Sequence, residues 1–135
     1  HQISLIVFHM HLIFYEKMNK FKVSLLFIYV CFMFINSILN SSLIFYFLED
    51  SIFKYDKHFH FIEFFILGIL IINIFIPNLS FKLFVSLLIV IFFIAVFDEC
   101  LQFFIPRRFP DMNDFLFDVL GGFSGMSLLY LFNRR

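Results

Sequence analysis

Two polar stretches of this chain carry residue types that can do chemistry. The first holds Asp56, Lys57, His60 and Glu63. The second holds Asp98, Glu99, Gln102, Arg107, Arg108, Asp111 and Asp114, with Asp118 four residues further on. Carboxylates beside an imidazole can act together as general acid and base, and His60, Glu63, Glu99 and Asp114 are the candidates for that role. Lys57, Arg107 and Arg108 can bind an anionic head group. His60, Glu63, Glu99, Asp114 and Asp118 are also suitable donors for a divalent metal.

Spacing groups these residues into faces. At about 100° per residue, Asp56, His60 and Glu63 fall within about 60° of one another on a helix. Asp114, Asp118, Gly121 and Gly125 share another helical face by the same arithmetic. Asp98 or Glu99 shares a face with Gln102 if the helix before them continues that far. The candidate ligand-binding set is therefore Asp56, Lys57, His60, Glu63, Glu99, Gln102, Arg108, Asp114 and Asp118. A plain alternative is a buried network of ion pairs and hydrogen bonds in which Arg107 or Arg108, Lys57 and His60 neutralise the acids and hold a loop. Lys57 and Arg107 then make loop salt bridges, and Asp111 sits in a solvated turn. None of the metal-capable residues has a local zinc spacing such as H-E-x-x-H, so no metal or cofactor is expected. Ser51 and the serines near residues 37–42 have no base nearby in sequence, and Cys100 has little to activate it. Whether the chain is an enzyme is left open.

The elements that must position these residues are apolar. The chain has 135 residues, 62% hydrophobic, with 26 Phe and no Trp. Its mean hydropathy of +0.97 is too high for an ordinary soluble domain. The formal net charge is zero, and Lys and Arg form no long basic patch, which argues against nucleic-acid binding. Cys31 and Cys100 do not make a disulfide framework.

Four apolar runs follow one another: about Phe21–Phe47, Phe59–Ile76, Phe81–Phe97 and Phe115–Phe132. Each approaches or exceeds the ~20 residues that cross ~30 Å of hydrocarbon. Asn36, Asn40, Ser41 and Ser42 are expected to mark the far interface of the first run. Pro77 and Asn78 end the second. Pro106 and Pro110 argue against one uninterrupted helix through residues 98–114, because neither donates a backbone hydrogen bond. The expected fold is all-α: an integral-membrane four-helix bundle with a polar loop, open to a re-entrant course, between helices 3 and 4. Irregular backbone at membrane depth needs protein or water to satisfy it. Ionisable groups at mid-membrane cost about 2.5–3.5 kcal/mol each on insertion scales, so His60, Glu63 and Asp118 should face the bundle interior. Gly121 and Gly125 form a small-x-x-x-small pair that lets a neighbouring helix approach.

The chain opens on His1, and residues 1–17 are expected to be a leader or disordered extension before a domain at 18–135. Lys17, Lys20, Lys22, Lys82, Arg134 and Arg135 fall on one side of the four spans, against Lys54, Lys57, Arg107 and Arg108 on the other. That bias puts both termini in the cytoplasm and both polar stretches outside.

At the two polar stretches the sequence resembles the VanZ-like family of small bacterial membrane proteins. Asp56-Lys57-His58-Phe59-His60-Phe61 is similar to that family's D-K-x-x-H-F element, and Glu63 and Phe64 continue it. Asp98, Glu99, Gln102, Phe104, Pro106 and Arg108 resemble its D-E-x-x-Q-x-F-x-P-x-R element. Asp114, Asp118, Gly121 and Gly125 resemble the D-x-x-x-(N/D)-x-x-G-x-x-x-G element that follows. Arg107 departs from the pattern, standing where a small residue is common, which can tighten or re-aim the loop. These motifs cover about residues 20–132 and leave residues 1–17 without a counterpart. The resemblance implies a multi-pass protein of the bacterial cytoplasmic membrane, in contact with the lipid bilayer and with a lipid-linked or cell-wall component. The family takes its name from a protein associated with low-level teicoplanin resistance, so glycopeptide tolerance is the implied phenotype. The resemblance settles neither a reaction nor an oligomeric state.

Overall fold

The structure is a computed structural model and describes residues 18–38, 56–76, 78–104 and 110–133, with the backbone alone of Asp56. Four helices make up almost all of these residues: α1 (Met18–Ile38), α2 (Asp56–Phe75), α3 (Phe81–Gln102) and α4 (Met112–Phe132). There is no strand among the described residues. All four helices are long and apolar enough to cross a membrane. The expected all-α four-helix bundle is what forms. The expected leader at 1–17, the end of the first apolar run and the centre of the polar loop lie outside the described residues.

Local chemistry sets the helix ends. The Ser80 hydroxyl accepts from the Leu83 N–H at 3.1 Å and so caps α3. Asp111 caps α4 by accepting from the Asn113 N–H at 2.8 Å. The Asn133 backbone N–H closes the other end of α4 on the Leu129 carbonyl. α2 stops at Phe75, two residues before Pro77.

Cross-links between helices fix their directions. The Lys22 ammonium donates to the Asn73 carbonyl at 2.9 Å, and the Asn36 amide donates to Glu63 Oε1 at 2.6 Å. The start of α1 therefore lies beside the end of α2, and the end of α1 beside the start of α2. The Tyr29 hydroxyl bonds the Glu63 carbonyl at 2.9 Å between these points. α3 and α4 continue the antiparallel order, with Phe92 and Phe115 edge to face at 5.4 Å. Phe64, Leu67, Ile72, Ile91 and Met126 fill the centre. Phe27, Ile28, Phe93 and Phe132 are among many large apolar side chains on the outside, the distribution expected of a surface that meets lipid.

α2 and α4 form the tightest pair. A Cβ built on Gly121 would collide with the Phe61 carbonyl, and one on Gly125 with the Phe65 carbonyl. A Cβ on Gly68 of α2 would collide with the Gly122 carbonyl in return. Glycine on both helices lets the two backbones touch, the close approach that small residues permit between membrane helices.

Candidate functional site

α3 runs past Phe97 to Gln102, so Asp98, Glu99 and Gln102 belong to its last turns and not to a loop. That places them at the same end of the bundle as the start of α2 and the start of α4. His60 is the fifth residue of α2 and Asp118 the seventh of α4, putting the group roughly 6–9 Å inside that end at 1.5 Å per residue. His60, Asp98, Glu99, Gln102, Asp114 and Asp118 are all buried.

The contacts centre on His60. Its Nδ1 lies 3.0 Å from Asp118 Oδ1 and 4.0 Å from Asp98 Oδ2. Gln102 Nε2 donates to Asp98 Oδ2 at 3.2 Å and to Glu99 Oε1 at 3.4 Å. Glu99 Oε2 accepts the Asp111 backbone N–H at 3.0 Å, tying the last turn of α3 to the cap of α4. Asp114 stands within Coulombic reach of Glu99. Three helices thus bring four carboxylates, an imidazole and an amide to one place. The glycine contact explains how: Gly121 meets the Phe61 backbone less than one turn from Asp118 and one residue from His60.

Other candidates lie apart or outside. The Glu63 carboxylate accepts from Asn36 and so reaches α1. Lys57 pairs with Asp111 at 3.5 Å at the rim, with both side chains about two-fifths exposed. This is a loop salt bridge of the kind expected for Lys57, with an acid read as a solvated turn. The Asp111 carboxyl is held below the usual range, first by the Asn113 N–H it accepts and then by Lys57. The Asp56 side chain, Arg107 and Arg108 lie outside the described residues. Asp98 is the residue that sequence reasoning left out of the candidate set. Its signal was its position four before Gln102, one helical turn on the same face.

The arrangement is suited to holding and moving protons between His60 and the acids, to donating and accepting hydrogen bonds with a polar ligand, and to cation binding. The apolar exterior and the buried polar centre define a multi-pass membrane protein with an acid–imidazole site near one end of its bundle. A family model described as VanZ/LLP1 matches residues 3–133, nearly the whole chain, and the chain belongs to that family. The matched range reaches further toward the N-terminus than the motifs at the two polar stretches do. No curated protein and no solved structure matches the chain.

Proposed function

We propose that this VanZ/LLP1 protein sits in the bacterial cytoplasmic membrane with both termini inside, and that its polar centre faces outward and engages a polar or anionic component of the envelope. The consequence for the cell is modest tolerance to a glycopeptide such as teicoplanin. One observation carries this reading: His60, Asp98, Glu99, Gln102, Asp114 and Asp118 converge from three helices just inside one end of the bundle. Ionisable groups among membrane helices are costly, and where they gather they mark function by default. Lys57 at the rim, and Arg108 beyond the described residues, supply the positive charge for an anionic group. The family resemblance supports the envelope setting.

The His60–Asp118 pair favours a second reading. A carboxylate 3.0 Å from a ring nitrogen orients the imidazole and fixes its tautomer. A group so held suits acid–base work on an envelope lipid.

The test is teicoplanin susceptibility in a sensitive host, read against the amount of protein in the membrane fraction. Wild type should protect. Asp114→Asn keeps shape and removes charge; Arg108→Lys keeps charge and loses the planar fork. Both should abolish protection at near-normal abundance. Loss of protection only in proportion to lost protein would identify a structural scaffold. No protection by wild type would contradict the glycopeptide reading.

A further inference from the structure

We propose that His60, Asp98 and Asp118 form a binding site for a divalent first-row transition cation, with Zn²⁺ as the reference ion. One donor atom from each residue lies within 4.8 Å of the other two, and all three side chains are buried. Their separations from His60 Nδ1, 3.0 Å to Asp118 and 4.0 Å to Asp98, bracket the spacing of neighbouring ligands. Donors bound at ~2.0–2.2 Å around one ion stand roughly 3–3.5 Å apart. The three residues come from α2, α3 and α4, so closing a cation between them needs only small side-chain movements and no new backbone.

Two further observations point to a ligand. Asp118 is completely buried, yet its Oδ2 has no hydrogen-bond partner. Gln102, at 1% exposure, likewise leaves its Oε1 without one. A buried polar atom without a partner is costly, and two of them on side chains of one cluster call for something that both can contact. Both atoms sit on groups already turned into the cluster. Asp118 Oδ1 meets His60, and Gln102 Nε2 meets Asp98. A cation bound by His60 Nδ1 and Asp118 would replace the proton shared between them, releasing it to solvent, would bring Asp118 Oδ2 within reach of the ion or its water, and would let a bound water donate to Gln102 Oε1.

The donor set narrows the ion. Two carboxylates and one imidazole are too poor in oxygen for Ca²⁺, which takes 6–8 oxygen ligands. Imidazole suits Zn²⁺ and its first-row neighbours. Three protein ligands leave a coordination position open, the arrangement of sites that bind a water or substrate. Gln102 also acts as an outer partner that orients Asp98, as groups around metal ligands commonly do. This inference concerns the ion alone and stands whether or not the protein gives glycopeptide tolerance.

The experiment uses the full chain, free of any affinity tag, stripped with chelator in detergent and returned to buffer containing Zn²⁺. Elemental analysis after desalting should find about one Zn²⁺ per chain. Asp98→Asn, Asp118→Asn and His60→Gln should each lose the retained ion while keeping wild-type helicity by circular dichroism. Gln102→Leu should weaken binding about 10–100-fold, the usual effect of removing an outer partner. His9 and His11 lie two apart near the N-terminus and are the chain's other closely spaced histidine pair outside the cluster's helices, so a His9→Ala and His11→Ala variant should bind like wild type. Co²⁺ added to the wild-type chain should give visible absorption bands that Zn²⁺ displaces, a readout independent of whether any variant folds. Absence of retained Zn²⁺ and of Co²⁺ bands in wild type would overturn the proposal. So would full binding by all three ligand variants, or its loss in the His9 and His11 variant.

Discussion

The backbone carbonyl of Phe61 on α2 occupies the space where a side chain on Gly121 of α4 would begin. The same holds one turn on for Phe65 and Gly125. These contacts hold the two helices close enough for His60 to reach Asp118. A backbone carbonyl cannot swing aside as a side chain can. Gly121→Ala and Gly125→Ala should therefore push α2 and α4 apart and cost about 1–3 kcal/mol each, the usual range for overpacking. At Gly122 a methyl would meet the Ile91 side chain, which can turn, so Gly122→Ala should cost less. Unfolding of purified protein in detergent checks the order; equal losses at all three positions would count against it.

Asp111 should make stability depend on acid. Its carboxyl is held below the usual range, so its contribution is complete above the unfolded value, ~3.9, and disappears as pH falls through the lower folded value. Removing the cap with Asp111→Ala should cost about 0.5–2 kcal/mol at neutral pH. The gap between wild type and variant should close on acidification below the ordinary aspartate range. Thermal unfolding across that range is the measurement, and a gap independent of pH would contradict the assignment.

The Tyr29 hydroxyl joins α1 to the Glu63 carbonyl of α2. Tyr29→Phe keeps the ring and removes only this bond. A loss near 0.6 kcal/mol is expected, the average for a hydrogen bond between membrane helices. Protease sensitivity at the α1 end should rise by a correspondingly small amount. A loss of several kcal/mol would mean that the hydroxyl does more than tie two helices together.

Orientation is open to a direct test. Single cysteines at Asp111 and Asn78, in a Cys31→Ser and Cys100→Ser background, should react from opposite sides of the membrane: Asp111→Cys from outside, Asn78→Cys from inside. Labelling of both from the same side would refute four antiparallel crossings, and labelling with the sides exchanged would invert the proposed topology.

Much of this was legible because a membrane penalises exposed charge. That penalty turns His60 and Asp118 inward, as they are found, and helical spacing predicts the close face at Gly121 and Gly125. The same reasoning misplaced the end of α3. Apolar runs show where a helix touches lipid; Asp98, Glu99 and Gln102 face the interior, so their polarity read as the start of a loop while the helix went on. Angular arithmetic groups Glu63 with His60, and ~60° of offset also lets its side chain reach the next helix, at Asn36 of α1. Asn36 in turn read as an interface marker because its partner lies 27 residues away in sequence. Contacts between helices, such as Asp98 with His60, have no signature in local spacing.

In the proposed function His60 and Asp118 work as one unit and not as a structural brace. Protection against teicoplanin per unit of membrane protein, measured for His60→Gln, Asp118→Asn and the double variant, tests it most directly. Groups that act as a unit are not additive. Each single change should remove protection, the double variant should be no worse than either, and abundance should stay near wild type. Protection that survives either single change, or that falls only as the protein disappears from the membrane, would contradict it.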